Sequence, residues 1–346
     1  MSYHWTNGAL SLRSFAPRFV LPSGALTNGA HRTSISPVHF NVALRAGGGF
    51  LSCPPHRPGM SERVFSLDAD SLPVELGLSE PELEERREQI TEFVTGVVED
   101  AGAAGAVIGL SGGIDSTLTA HLAVEALGPD SVRGLVMPSE ANTDENMSDA
   151  ERVAEDLGIE YDVVAVQPIV EAFEAAYPVD GPLEERIESD PLRTALGNVA
   201  VRTRGVLNYF VGNAENRIVL GTGNRSETLT GYFTKYGDQA VDCNPIGNLY
   251  KYQVRQLAAH VGVPEDLVEK PPSAEMWTGQ TDEGEMGLTY DTLDAILMLH
   301  VDGPFSRSAT VETLGVPESA IDRVIDLYEA SEHKRHMPPA PDAPTP

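Results

Sequence analysis

An α/β fold, with a parallel sheet covered by helices on both faces, is predicted by three features of this 346-residue sequence. Short apolar runs at 106–110, 132–137, 161–166 and 217–220 read as strands. Helical stretches at about 116–127, 146–157 and 191–211 separate them, and such alternation builds βαβ units. The first strand also runs straight into a glycine-rich turn and a helix, which is where open parallel sheets take their ligands.

Taken in chain order, residues 1–59 stand apart. They hold five arginines and no Asp or Glu, are rich in Gly, Pro, Ser and His, and keep no helical or alternating period. That composition reads as loop or disorder. An acid-free leader with Arg and Ser resembles a transit peptide; the reading adopted is translated upstream sequence, with Met60 as the natural start. The domain is placed at 60–340, with 341–346 as a frayed, proline-rich tail. Helical order begins near Ser79, which can cap a helix with Glu82 three positions on. Leu83, Ile90, Phe93, Val94 and Val97 supply that helix's apolar residues. Residues 222–288 are rich in Gly, Asn, Asp and Thr and read as functional loops, and helical periodicity returns at 289–300 and 317–331.

Charge excludes several functions. The chain carries 52 acidic and 24 basic residues, a net charge of -28, and every acidic residue lies after position 59. A surface this negative repels nucleic-acid phosphates and anionic membranes. No run reaches the ~18 to 20 apolar residues of a membrane-spanning helix, so the expectation is a soluble protein. Only four lysines occur, Lys235, Lys251, Lys270 and Lys334, all in the last third. Acidic, lysine-poor surfaces suit salt concentrations that screen self-repulsion, which points to a halophilic setting. Cys53 and Cys243 lie far apart and form no metal or redox spacing, as expected of unpaired thiols in a cytoplasmic protein.

The segment VIGLSGGIDSTLTAHLA, residues 107–123, carries the chemistry. An apolar strand leads through Gly109 and Leu110 into Ser111, Gly112, Gly113, Ile114, Asp115 and Ser116, and a helix follows. Glycines let backbone amides approach an oxyanion, and the helix N-terminus adds free N–H groups and partial positive charge. Ser111 and Ser116 offer hydroxyls. Asp115 is an odd neighbour for phosphate unless a divalent cation lies between them, which makes it a Mg²⁺ ligand candidate. The alternative is a strand-to-helix turn in which Asp and Ser merely cap the helix. The pattern matches neither Walker A nor the dinucleotide Gly-x-Gly-x-x-Gly.

SGGIDS resembles the loop of the ATP pyrophosphatase superfamily, which implies a Rossmann-like sheet of the adenine nucleotide alpha hydrolase type. Further blocks narrow the resemblance: NVAVRTR, LGTGNRSETLTGYFTKYGD, VDCNPIGNLYKYQVR, EKPPSAEMWTGQTDE, EMGLTY and SEHKRHMPP. In this order they resemble the signature blocks of the NAD synthetase family over roughly 80–340. The resemblance implies that 109–116 holds the phosphates of ATP, that Asp115 and Glu227 bind Mg²⁺, and that Thr222, Lys251 and Ser273 contact ATP. It implies that Arg204, Lys235, Asp242, His333 and Lys334 contact deamido-NAD, and that the enzyme is a homodimer. Arg225 stands where many members carry Lys, and Lys270, beside Pro271, receives no role. The alternatives are that Glu227 caps a helix start and that Arg204 forms a surface ion pair.

The residue types suit the implied reaction. A carboxylate must first attack the α-phosphate of ATP, and ammonia then displaces AMP from the acyl adenylate. Mg²⁺ and Lys251 would meet the charge that builds on the departing diphosphate. Asp238 is the candidate for holding or deprotonating ammonium. Nothing before residue 80 is long enough to be a glutaminase, so ammonia is expected directly or from a separate subunit. The rivals are a GMP synthetase-like subunit, a tRNA-thiolating enzyme, and a nucleotide sensor that shares the fold without catalysis. A tRNA enzyme would need the basic surface that this chain lacks.

Overall fold

Four parallel strands form the sheet of the computed structural model: β1 (Gly105–Leu110), β2 (Val132–Val136), β3 (Glu160–Val163) and β4 (Arg217–Leu220), in the order β3-β2-β1-β4. The structure describes residues 64–67, 72–139, 144–177, 189–273 and 280–341, all within one unit, Gly49–Pro346. The expected leader 1–59 and the tail beyond 341 lie outside the described residues.

β1 is central and pairs with both neighbours, Ala106 opposite Val132 on one side and Ile218 on the other. Its run is apolar throughout because both faces are covered. Ala106, Ile108 and Leu110 pack into one core with Leu83, Ile90, Leu118, Leu122, Val254 and Leu257. Val107 points the other way, into a core with Leu135, Val170, Ala200 and Val219. The helices on the first face are α1 (Glu80–Ala101), α2 (Ile114–Leu127), α3 (Asp144–Leu157) and α7 (Lys251–His260); α4 (Gln167–Ala176) and α5 (Ser189–Glu215) cover the second.

The expected start of α1 is present. The Ser79 backbone N–H and hydroxyl both donate to the Glu82 carboxylate, at 2.9 and 2.6 Å. Leu83, Ile90, Val94 and Val98 face inward, whereas Phe93, expected on the apolar face, sits at its edge and is 44% exposed. The third strand is shorter than its apolar run: β3 ends at Val163, although the N–H groups of Val164 and Val166 still donate to the Val136 and Pro138 carbonyls.

Residues 222–288 are not the continuous loop that their composition suggests. They contain α6 (Arg225–Thr230), α7, and the short α8 (Glu265–Val268) and α9 (Asp282–Met286). Beyond them, α10 (Tyr290–Ile296) widens into a π-helical turn at 297–301, followed by α11 (Arg307–Leu314) and α12 (Glu318–Ala330). These pack on a separate core built from Met286, Tyr290, Leu293, Ile321 and Val324, with Leu229 of α6 and Tyr250 just before α7.

The order of the sheet locates the site. The chain leaves β1 toward β2 and β3, then returns to place β4 on the opposite side of β1. The strand order thus reverses between β1 and β4, and the crevice at their carboxyl ends is where such sheets bind ligands.

Candidate active site

The loop leaving β1 turns sharply at Gly112, whose φ of 75° is a conformation that side chains disfavour. Its serines tie the turn together. The Gly113 N–H donates to Ser111 Oγ at 3.2 Å, and Ser116 Oγ donates to the Gly113 carbonyl at 3.0 Å. Ser116 is 3% exposed, and its hydroxyl braces the loop. α2 starts directly after the turn, so its first N–H groups open onto the crevice.

At the end of β4 the chain passes through Gly221, where a Cβ would lie 2.1 Å from Asn244 Oδ1 and force that side chain aside. Thr222 follows in the cavity wall. Asn224 then caps α6 by accepting from the Glu227 N–H at 2.9 Å. The Glu227 carboxylate accepts from the Asn224 N–H at 3.3 Å, completing a capping box. Capping and a place in the site are not exclusive here, because the other Glu227 oxygen faces the Lys251 ammonium at 3.2 Å.

Lys251 opens α7 and is 2% exposed. Its backbone N–H donates to Ser226 Oγ at 2.9 Å, and the next residue's N–H donates to the Asp294 carboxylate at 2.9 Å, so α6 and α10 fix where α7 begins. The ammonium is ion-paired with Asp115 and Glu227 and lies 5.2 Å from the Tyr290 ring centre. Burial alone would push its pKa down, but the two carboxylates outweigh burial and hold it above the usual lysine range. Burial raises the Glu227 carboxyl, with Lys251 opposing and Asp115 and Asp282 adding to the rise. Asn224 Nδ2 donates to the second Asp115 oxygen at 2.9 Å. Three elements distant in sequence thus bring two carboxylates onto one cation.

These groups share one cavity of about 300 Å³. Every residue expected around ATP lines it: Gly109, Leu110, Ser111, Gly112, Gly113, Ile114, Asp115, Ser116, Thr222, Lys251 and Ser273. Ser273 Oγ donates to the Gln280 carbonyl at 2.8 Å. Arg204, on α5, lines the same cavity and donates to the Met137 carbonyl at 3.0 Å and to Ser139 Oγ at 3.2 Å. Asp238 is open to the cavity but ringed by protein further out, and this desolvation pushes its carboxyl up to about 6. It accepts from the Thr234 N–H at 2.8 Å.

The other residues expected near deamido-NAD do not line this cavity. Lys235 and Lys334 line a second one, of about 740 Å³. Lys235 donates to the His333 carbonyl at 2.6 Å, and Lys334 donates to the Gly231 and Phe233 carbonyls at 2.7 and 2.8 Å. Burial, then the nearby cations, lower the pKa of His333. Asp242 faces away: it accepts from Tyr209 Oη at 3.0 Å and from the Val219 N–H at 2.7 Å, anchoring the edge of β4.

Several residues of the cavity escape sequence reading. Asn208 lies four positions after Arg204 on α5, hence on the same helix face, and its buried Oδ1 has no hydrogen-bond partner among the described residues. That spacing was the available signal. Asp282 accepts from Tyr290 Oη at 3.0 Å, and Lys270 donates to the Gly112 carbonyl at 3.3 Å. Asp115 and Glu227 suit a hard divalent ion, since two carboxylates already converge on a single cation at a cavity wall. No described group of three or more acidic, His or Cys side chains has metal-binding spacing, and no described helix is long and apolar enough to cross a membrane.

Comparison with known proteins identifies the family. The chain is 58% identical over 269 residues to the NH(3)-dependent NAD(+) synthetase of Halobacterium salinarum, covering 78% of this chain and 97% of that one. Among solved structures it resembles an NMN synthetase from Francisella tularensis, at a TM-score of 0.64 and 35% identity over 75% of this chain and 99% of that one. It also resembles an NH3-dependent NAD synthetase from Campylobacter jejuni, at 0.60 and 30% over 75% and 99%. A family model described as NAD synthase matches residues 86–338, and the chain therefore belongs to the NAD synthase family.

Proposed function

We propose that this ligase amidates deamido-NAD with ammonia at the expense of ATP, releasing NAD, AMP and diphosphate through an acyl adenylate. The carrying observation is that the glycine-rich loop after β1, the Asp115–Lys251–Glu227 cluster, Arg204 and Asp238 all face one cavity. Amides of 109–116 and the start of α2 would hold the phosphates, and Thr222 and Ser273 would fix the nucleotide. Arg204 would orient the substrate so that its carboxylate meets the α-phosphorus. That oxygen forms the new bond to phosphorus while the bond to the diphosphate breaks, leaving the electron pair on the diphosphate. Lys251 supplies positive charge where that negative charge accumulates.

Asp115 and Glu227 would hold Mg²⁺, which when bound shields phosphate charge. Asp238, ionised above pH about 6, would attract ammonium and take its proton, freeing ammonia to attack the carbonyl carbon and expel AMP as the carbon–oxygen bond breaks. The family resemblance supports a cytoplasmic homodimer in which Lys235, Asp242, His333 and Lys334 bind the rest of the dinucleotide. Exposed Val206 and Phe210 on α5 suit cover by a second copy.

The test is product analysis on the purified chain. Over many turnovers AMP and diphosphate should form in equal amounts, and sustained turnover should need both deamido-NAD and ammonium. Formation of ADP would refute the reading. Since one structural relative is an NMN synthetase, the mononucleotide counterpart is run alongside; a preference for it would overturn the choice of dinucleotide.

A further inference from the structure

Lys270 follows α8 and reaches back over the phosphate loop. Its ammonium lies 3.3 Å from the Gly112 carbonyl and 2.6 Å from Asp149 Oδ2 on α3. The side chains of this pair are only 21% and 13% exposed. Two prolines, Pro271 and Pro272, follow it, and a residue before proline is confined to extended backbone, so the stem starts from a fixed point. The side chain is the mobile part. Lysine is a compact charge on a flexible stem, suited to following a phosphate group that moves.

The other cations on this cavity wall are differently committed. Lys251 is enclosed by two carboxylates, and Arg204 donates to a carbonyl and a hydroxyl. The partner of Lys270 is shared. Asp149 Oδ1 is also 3.1 Å from Arg152, which bridges onward to Asp266 at 2.6 Å. If Lys270 leaves, Asp149 keeps a cation beside it, so the departure does not strand a half-buried charge.

We propose that Lys270 binds the diphosphate end of ATP, passing from Asp149 to the phosphate oxygens while Arg152 keeps Asp149 paired. The inference rests on the proposed adenylation. When the bond between the α-phosphorus and the bridging oxygen breaks, the electron pair stays on the diphosphate. Lys270 meets that charge with its ammonium, and no proton moves. Asp149 is the resting holder of the lysine and keeps it at the mouth of the loop.

The experiment measures steady-state kinetics and inhibition by inorganic diphosphate on the full chain, with melting temperature as the check on folding. In Lys270→Ala, inhibition by diphosphate should weaken about 10- to 100-fold, the loss of one charged hydrogen bond, and the KM for ATP should rise. The KM for ammonium should stay within about two-fold, and Lys270→Arg should recover part of the loss. Asp149→Asn removes the resting charge beside Lys270 and leaves Arg152 paired with Asp266, so diphosphate should bind as well as before or better. An unchanged diphosphate inhibition in a folded Lys270→Ala chain would overturn the inference while leaving adenylation intact. So would weakening by Asp149→Asn equal to that by Lys270→Ala, since the pair would then merely brace the fold. Wild-type turnover to ADP would instead remove the reading on which the inference stands.

Discussion

At the scale of single residues, the site depends on charges that the fold holds away from water. Lys251 is 2% exposed and would be costly to bury alone, yet Asp115 and Glu227 keep it charged. Asp238 opens to the cavity and has no cation in hydrogen-bond contact among the described residues, and desolvation by the protein around it raises its carboxyl to about 6. A carboxyl raised in the folded state favours folding most below its unfolded value near 3.8, and that contribution is lost as pH rises through about 6. Asp238→Asn should therefore leave the melting temperature at pH 8 unchanged or higher. It should slow turnover at limiting ammonium by about 100-fold or more if the carboxylate acts as base. Full turnover with limiting ammonium would end that assignment. The phosphate-loop residues, Lys251 and Glu227 were legible because their types and order are distinctive. Asp242 is expected beside the substrate by resemblance alone; its two oxygens accept bonds from Tyr209 and the Val219 N–H, contacts that no motif encodes. Hydrogen bonding inside the fold leaves no trace in a motif.

At the scale of elements, legibility follows how fully each one is buried. The strands were readable because burial on both faces demands unbroken apolar runs, as in β1. α5 was recognised as a helix but is longer at both ends than its reading. α7 was hidden within a signature block: it begins with Lys251 and Gln253, buried polar residues that interrupt the apolar period, and only Val254, Leu257 and Ala258 continue it. α11 buries only Thr310 and Leu314, so periodicity is nearly silent. Its ends were the better signal, since Ser306 accepts from the Ala309 N–H at 3.3 Å and Gly315 closes the helix with a φ of 66°. The widening at 297–301 has no counterpart in the sequence pattern. The short helix α6 matters most to function, since one capping box fixes Glu227 and the neighbouring Ser226 fixes the start of α7.

At the scale of the whole molecule, a net charge of -28 must be borne by the same chain that gathers ATP and a dinucleotide. Screening shortens from ~10 Å at 0.1 M salt to ~3 Å at 1 M, so self-repulsion should fade as salt rises. The melting temperature should climb between 0.1 and 2 M KCl; a flat or falling curve would contradict a halophilic surface. The 58% identity to a Halobacterium salinarum enzyme is in keeping with that expectation. The central claim is that a nicotinate carboxylate oxygen attacks the innermost phosphorus of ATP held by the loop at 109–116. Labelling that carboxylate with ¹⁸O and collecting the products by mass spectrometry tests it most directly. One label should appear in AMP and none in the diphosphate, whereas unlabelled AMP, or label in orthophosphate, would contradict adenylation.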